Sequence, residues 1–556
     1  MYLLKAQRLP ASGPSPFVLK GSLGTSASFY SSNEAVYTRP SFAWNVYGNF
    51  IAKIDQVTMP FSFITNQYNN SREPVYIQAG ASPTYKWAKL HIGDRYMQFS
   101  PLIFEGQNFR GVGLELNPGK FRFGAFYGRL NKAINEDTSQ KSFRLPQYSR
   151  TGYGVKIGYG TSSGFIDLIY FHAKDDSSSA SFVNPLSQST TTAGENAVLG
   201  LSVKTTILKK LVLSADLAAS GLTQDLSKGK GNTDSSENNV TKLMGHFVTH
   251  NATTVGNYAG QASVVFTTTG FNTNLGYRRV QPDFKSFGTP FVLNDVELLS
   301  WVNYFSLANG RVNINTSLSD QHNNLEKKLE TELQTLTGSV FVNAVIGTNL
   351  NLNLGYYGYS FKNKAGILSL NDTNRMQQQI SQITFNPSYN LAKGYKLHYI
   401  SANINISWLD DKNRFTSPQT DSRNLSASLN YTLALANKFC SLSINGIYSR
   451  YKQGDTTSYD SYGTIVGASA QLLKSRSLNI QGNIGYILSH FNTRASQSNI
   501  TYTVNASYRK RGHSFSLYGN YVYTPPNTIN DRINKTIPYA VATKNLAGGV
   551  SYAYTF

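Results

Sequence analysis

Large apolar residues fall on every second position over long stretches of this chain. At its C-terminal end Val550, Tyr552, Tyr554 and Phe556 alternate with Ser551, Ala553 and Thr555. In residues 424–435 Leu425, Ala427, Leu429, Tyr431, Leu433 and Leu435 alternate with Ser426, Ser428, Asn430, Thr432 and Ala434. Residues 477–488 and 311–319 repeat the design, with Asn, Gln, Ser and Gly between Leu, Ile and Val. A period of two over this length predicts strands with one apolar and one polar face. The polar face carries small neutral groups rather than the charges usual on the outside of a soluble sandwich. Tyr and Phe gather toward strand ends. Small polar groups suit a wet lumen, and aromatic strand ends suit a membrane interface.

The connections sharpen this expectation. Short turns, such as those at 117–120, 308–311, 392–395 and 510–513, alternate with longer polar segments at 131–147, 175–195, 225–256, 363–379 and 526–539. Short turns at one end and long loops at the other mark a transmembrane up-and-down barrel. Closure then pairs every backbone group, as a bilayer demands. The predicted fold is all-β: a transmembrane antiparallel up-and-down β-barrel of about 26 strands, in a range of roughly 22–26. The barrel is expected over 17–556, with 1–16 as an N-terminal periplasmic segment. An even strand count puts both termini on the periplasmic side.

Composition narrows the alternatives. Only 40% of residues are AVILMFWYC, yet 13% are aromatic, with 36 Tyr against 4 Trp. That is too aromatic for disorder, and no apolar run of about 18 residues is present to span a bilayer as a helix. The single Cys440 excludes an internal disulfide. The net charge of +21 is scattered and comes without a nucleic-acid-binding motif, so no nucleic-acid partner is expected. The opening residues 1–17 lack an apolar signal core, so a mature or trimmed form is expected.

The C-terminal strand, with aromatics at alternate places and a final Phe, resembles the insertion signal of Gram-negative outer-membrane barrels. The resemblance implies that Val550, Tyr552, Tyr554 and Phe556 are read by the barrel-assembly machinery, and that this strand closes against residues 17–31. Residues 82–130 and 276–297 look like segments of large outer-membrane proteins of Bacteroidota. The implied setting is an integral protein of a Gram-negative outer membrane, in contact with its lipid and lipopolysaccharide. The plug domain of TonB-dependent transporters is not in the sequence.

Alternation through 85–130 turns Lys89, His91, Arg95, Glu115 and Arg122 toward the lumen, and Lys156 and Asp167 on neighbouring strands join them. A lumen wall with more basic than acidic groups biases passage toward anions. The alternative is that these charges pair with one another. The apolar connection 99–109 is expected to fold inward as a constriction. Basic residues at short turns, among them Lys209, Lys210, Lys510 and Arg511, are expected at the periplasmic surface. No catalytic motif stands out: His322 lies near Ser319 and Asp320, but neighbouring strand residues face opposite ways. Acidic stretches at 174–179 and 410–414 read as solvated loop charge. The chain is expected to be no enzyme and to need no cofactor or metal. Three functions follow in order: a pore for solutes, with a bias toward anionic ones; the barrel subunit of a secretion, assembly or export complex; and a rim enzyme or adhesin. The second supposes a lumen filled by a plug or lipoprotein partner. A barrel this large needs filling either by its own loops, 225–256 above all, or by such a partner.

Overall fold

The computed structural model describes residues 17–33, 40–66, 77–136, 146–182, 190–229, 238–371, 374–454, 456–492, 495–526, 528–529, 537–538 and 542–556. The segment 1–16, expected to be periplasmic, lies outside them. The described strands form a single closed antiparallel sheet, a 26-stranded barrel. It begins with Phe17–Ser32 and ends with Thr543–Thr555. The strands predicted from periodicity are present: 424–435 lies in Ser422–Leu435, 477–488 in Leu478–Phe491, and 311–319 in Val312–His322. At the usual strand spacing and tilt, a circular section of this many strands is roughly 50 Å across.

One wall position is broken. Ile77–Ala81 and Thr84–Tyr85 both pair with Ala88–Tyr96, and Ser82 and Pro83 interrupt them. Pro83 has no N–H to give the ladder. Its carbonyl still accepts from Leu90 N at 2.9 Å, and Ser82 N donates to Pro60 O at 2.9 Å. The tight turns use left-handed backbone where the sequence supplies the residue for it. Asn309 and Gly310 have φ of 55° and 84°, and Gly394 has φ of 60°.

The two faces of the sheet differ in the way the alternation predicts. Leu168, Leu217, Leu429, Leu442 and Ile484 are exposed on the outer face. Beside Leu429, Leu442 and Ile484 the inward positions hold Ser, Asn and Gly, and beside Leu168 and Leu217 they hold Asp167, Ile169, Asp216 and Ala218. No helix among the described residues is long and apolar enough to cross a membrane.

The seam joins the ends of the chain. Phe17–Ser32 pairs with Thr543–Thr555 from Ser22↔Thr555 to Ser32↔Asn545. Beyond the last strand residue, Phe556 and Gly21 exchange two backbone hydrogen bonds of 3.0 Å. The Phe556 ring lies 5.8 Å from Phe50 and 5.7 Å from Tyr554 on the outer face. Val550, Tyr552 and Tyr554 share that face by alternation. Deleting Phe556 removes two seam hydrogen bonds and an aromatic clasp. The expected outcome is a large drop in the heat-modifiable, folded band on cold gel electrophoresis, with Phe556→Tyr close to wild type.

The described part of the 225–256 connection does not enter the lumen. A short helix, Asn239–Met244, capped by the Asn238 side chain accepting from Thr241 N at 2.7 Å, lies against the outer face. Its seat is made by Gly221 and Gly256, which are register partners. They share the face of exposed Leu217 and Tyr258. A Cβ on Gly221 would stand 2.8 Å from Met244 Cβ, and one on Gly256 2.4 Å from Thr241 N. Two opposed glycines leave a notch in the wall, and the helix fills it. At ordinary rise and tilt Gly221 lies roughly 25 Å above Leu211 at the short-turn end, the height of a typical apolar band.

Candidate functional site: a packed insert and its charged surround

The connection after Tyr96 turns into the lumen. Ser100 and Phe104 form an isolated bridge, with Phe104 O accepting from Phe99 N at 3.0 Å. The loop tip is tethered to the wall by Ser100 Oγ, which donates to Asp216 Oδ1 at 3.1 Å. Leu102, Ile103 and Phe104 are fully buried. Phe104 is the hub: its ring lies 4.2 Å from Phe126, 5.6 Å from Phe171 and 5.8 Å from Phe99. The hydrophobic core of this barrel is therefore inside the lumen, made by the insert and the wall it covers. The wall makes room with glycine. A Cβ on Gly124 would meet Phe99 at 3.0 Å, one on Gly154 would meet Phe126 at 2.7 Å, and one on Gly200 would meet Ile103 Cδ1 at 2.1 Å.

A second loop, 281–295, clamps the first. Ser286 Oγ donates to Ile103 O at 2.6 Å, and Glu105 N donates to Gly288 O at 2.9 Å. Asn196, buried on the wall, holds this clamp by both ends of its amide. Its Nδ2 donates to Lys285 O at 3.0 Å and its Oδ1 accepts from Phe287 N at 3.0 Å. Ser286 and Asn196, both buried here, find partners for their polar atoms, as burial favours.

Around the insert stand the charged residues singled out by alternation. Arg122 and Asp167 form a bidentate pair, Nε–Oδ1 2.7 Å and Nη2–Oδ2 2.8 Å. Lys89 Nζ is 3.2 Å and His91 Nε2 2.7 Å from the same Glu115 oxygen. The other ring nitrogen of His91 is 3.1 Å from Ser82 Oγ. This Ser–His–Glu order has the elements of a hydrolytic triad, but Ser82 and His91 are buried, 6% and 2% exposed, and offer no path to a substrate. It fastens the broken strand to its neighbours. Its serine escapes a reading by alternation because the break at Ser82 and Pro83 interrupts the period.

Arg95 and Lys156 are different. Arg95 Nη1 donates to Ser62 Oγ at 3.1 Å, while its Nε and Nη2 are buried without partners. Lys156 Nζ sits 5.4 Å from the centre of the Phe99 ring, beneath the insert. Arg278, which sequence reasoning missed, is a third inward cation, and its Nε too is buried without a partner. Among the described residues none of the three forms an ion pair. The inward charges thus divide: Lys89, His91, Glu115, Arg122 and Asp167 pair with one another, while Arg95, Lys156 and Arg278 make no ion pair and outnumber the one similarly placed carboxylate, Asp216, which Ser100, Ser202 and Gln261 hold.

Away from the insert the inward face is a lattice of small polar groups. Ser317 and Ser339 are 2.7 Å apart, Ser441 and Ser469 2.8 Å, and Ser449 and Ser461 2.8 Å. Asn483 Nδ2 donates to Thr503 Oγ1 at 2.9 Å. All of the fully formed core lies between Met97 and Val296.

No protein-family model matches the chain, and no curated protein matches it. Among solved structures it is similar to the siderophore receptor PirA from Pseudomonas aeruginosa, at 10% identity over 97% of this chain and 80% of that one, with a TM-score of 0.36. It is similar to OccD3 (OpdP) of the same organism, at 7% identity over 97% and 91%, with a TM-score of 0.30. It is also similar to the P pilus usher PapC translocation pore, at 10% identity over 97% and 99%, with a TM-score of 0.27. Among the described residues no group of three or more His, Cys, Asp and Glu is placed to hold a metal ion.

Proposed function

We propose that this protein is an integral outer-membrane pore that conducts small solutes and favours anions. The observation that carries the reading is the lumen itself. One side is packed by the chain's own 97–107 and 281–295 loops, and the rest is lined by hydroxyl and amide groups suited to water. The inward cations without ion pairs, Arg95, Lys156 and Arg278, supply a positive field along the path. Wall charges of one sign enrich counter-ions and set selectivity. Both ends of the wall lie at its short-turn end, which in this reading faces the periplasm. Val550, Tyr552, Tyr554 and Phe556 complete the seam, as an insertion signal at the last strand would.

Planar-bilayer recording under a salt gradient tests this. The expected result is a steady conductance with an anion-favouring reversal potential. Lys156→Glu, a change of two charges beside the insert, is expected to reverse or abolish the preference, and Arg95→Gln to weaken it. A cation-favouring wild-type potential overturns the reading.

A second reading has one observation in its favour. The buried lumen core spans only Met97 to Val296, and a circle of 26 strands is wide. A partner seated against the polar wall beyond Val312 would make the chain the barrel subunit of a larger complex. A very large, unselective conductance of the purified chain supports this second reading.

A further inference from the structure

We infer that the cavity at the long-loop mouth of the barrel, bounded by Arg150, Lys285, Phe287 and Thr289, binds a small polyhydroxylated monoanion of the sugar-acid class. The inference rests on the pore reading for its purpose, capture of a solute at the entrance, but not for its geometry.

The cavity has a volume of about 530 Å³, within the usual range for a small-molecule site. It lies where Arg150 and Asp175, at the long-loop ends of their strands, meet the 281–295 clamp. Its charges are unequal in freedom. Arg150 is committed: Nε and Nη2 bind Asp175 at 2.8 and 2.9 Å, and the guanidinium lies 3.4 Å from the centre of the Phe287 ring. Lys285 is not. Its backbone carbonyl anchors the clamp, but among the described residues its ammonium forms no ion pair, with the Phe287 ring 5.6 Å away. Crowding by protein and the neighbouring Arg150 charge lower its pKa, against the pull of Asp175. A lysine so placed gains from an anionic ligand.

The remaining lining selects what carries that anion. Thr289 is buried, 5% exposed, and its hydroxyl has no hydrogen-bond partner among the described residues. A buried hydroxyl left unpaired is costly, and a ligand hydroxyl relieves it once the Thr289 side chain rotates toward the cavity it lines. Gln224 and Asn294 add further donors and acceptors. Asp283 lines the same space and disfavours a second negative charge on the ligand. The volume is far more than a bare inorganic anion occupies.

The test is calorimetric titration of the detergent-solubilised full chain with D-gluconate, with D-glucose and butyrate as comparators. Gluconate is expected to bind, and glucose and butyrate each to bind about tenfold or more weakly, for want of charge and of hydroxyls respectively. Lys285→Met is expected to weaken gluconate by about tenfold and Thr289→Val by roughly threefold, while Lys156→Met leaves it unchanged. Should Lys285→Met fail to assemble, Thr289→Val and the comparators decide. Absence of gluconate binding overturns the inference, as does equal binding of glucose. Bilayer recordings keep the two readings apart. Anion-selective current without gluconate binding removes the site and leaves the pore. Gluconate binding without steady current does the reverse.

Discussion

Phe104→Ala is expected to open the pore and to weaken the barrel at once. The Phe104 ring touches Phe99, Phe126 and Phe171, and it is fully buried. Truncating such a side chain costs about 3–5 kcal/mol, because the cavity left behind cannot collapse against a stiff sheet. The insert has two kinds of attachment, this aromatic cluster and the hydrogen bonds to Asp216, Ser286 and Gly288. Losing the first leaves a short loop held by a few polar contacts that water competes for. Single-channel conductance should rise, with more frequent switching between levels, and chemical unfolding in detergent should shift to lower denaturant. Gly200→Val attacks the same contact from the wall, since its Cβ would stand 2.1 Å from Ile103 Cδ1. Agreement between the two variants assigns the effect to the insert rather than to either residue. If both lose stability and neither changes conductance, the insert is a brace and ions pass along the opposite wall.

The second large effect is expected at Arg122 and Asp167. Asp167 is buried, with both carboxylate oxygens held by the Arg122 guanidinium. The guanidinium also lies 4.1 Å from the centre of the Phe165 ring. Across the ladder sits Gly158, where a Cβ would come 1.9 Å from Asp167 Oδ1. Glycine at 158 leaves the room that the pair occupies. Arg122→Leu strands the carboxylate and is expected to cost about 3–5 kcal/mol, whereas Arg122→Leu with Asp167→Leu recovers most of it. Denaturant unfolding of the singles and the double gives the coupling. The double variant should keep the wild-type reversal potential, since it removes equal and opposite charge. That separates these structural ions from Lys156, whose reversal shifts selectivity.

The strands were legible because each has one face in contact with a bilayer and the other with water, and a period of two records that difference residue by residue. The inward turn of the apolar loop was legible for a similar reason: its Phe99, Leu102, Ile103 and Phe104 have no place in an exposed loop. The clamp was not. Ser286 meets Ile103 across 183 residues of sequence, and Asn196 meets Phe287 across 91. Short polar side chains in a Ser- and Asn-rich chain look alike whether they line water or lock a loop. The same limit hid the seat of the 239–244 helix. Gly221 and Gly256 are read as facing outward only once the phase of their strands is known, and a glycine there reads as ordinary wall until the helix is seen against it. Of the charges, alternation gave an expected direction for each side chain. It did not give partners, because pairing depends on register between strands rather than on order along one.

The lumen core draws its buried side chains from Met97 to Val296, an unbroken stretch of chain well short of the seam. The seam pairs residues more than 500 positions apart, as in the Tyr30–Asn545 contact, and is the slowest kind of pairing to reach. The insert and its clamp meet across far fewer residues, 116 from Ser100 to Asp216 and 183 from Ser286 to Ile103. Loop closure over the shorter span costs less entropy, which favours the packed insert ahead of the closed seam. A curled sheet whose seam has yet to close would then already carry its own obstruction along its inner surface.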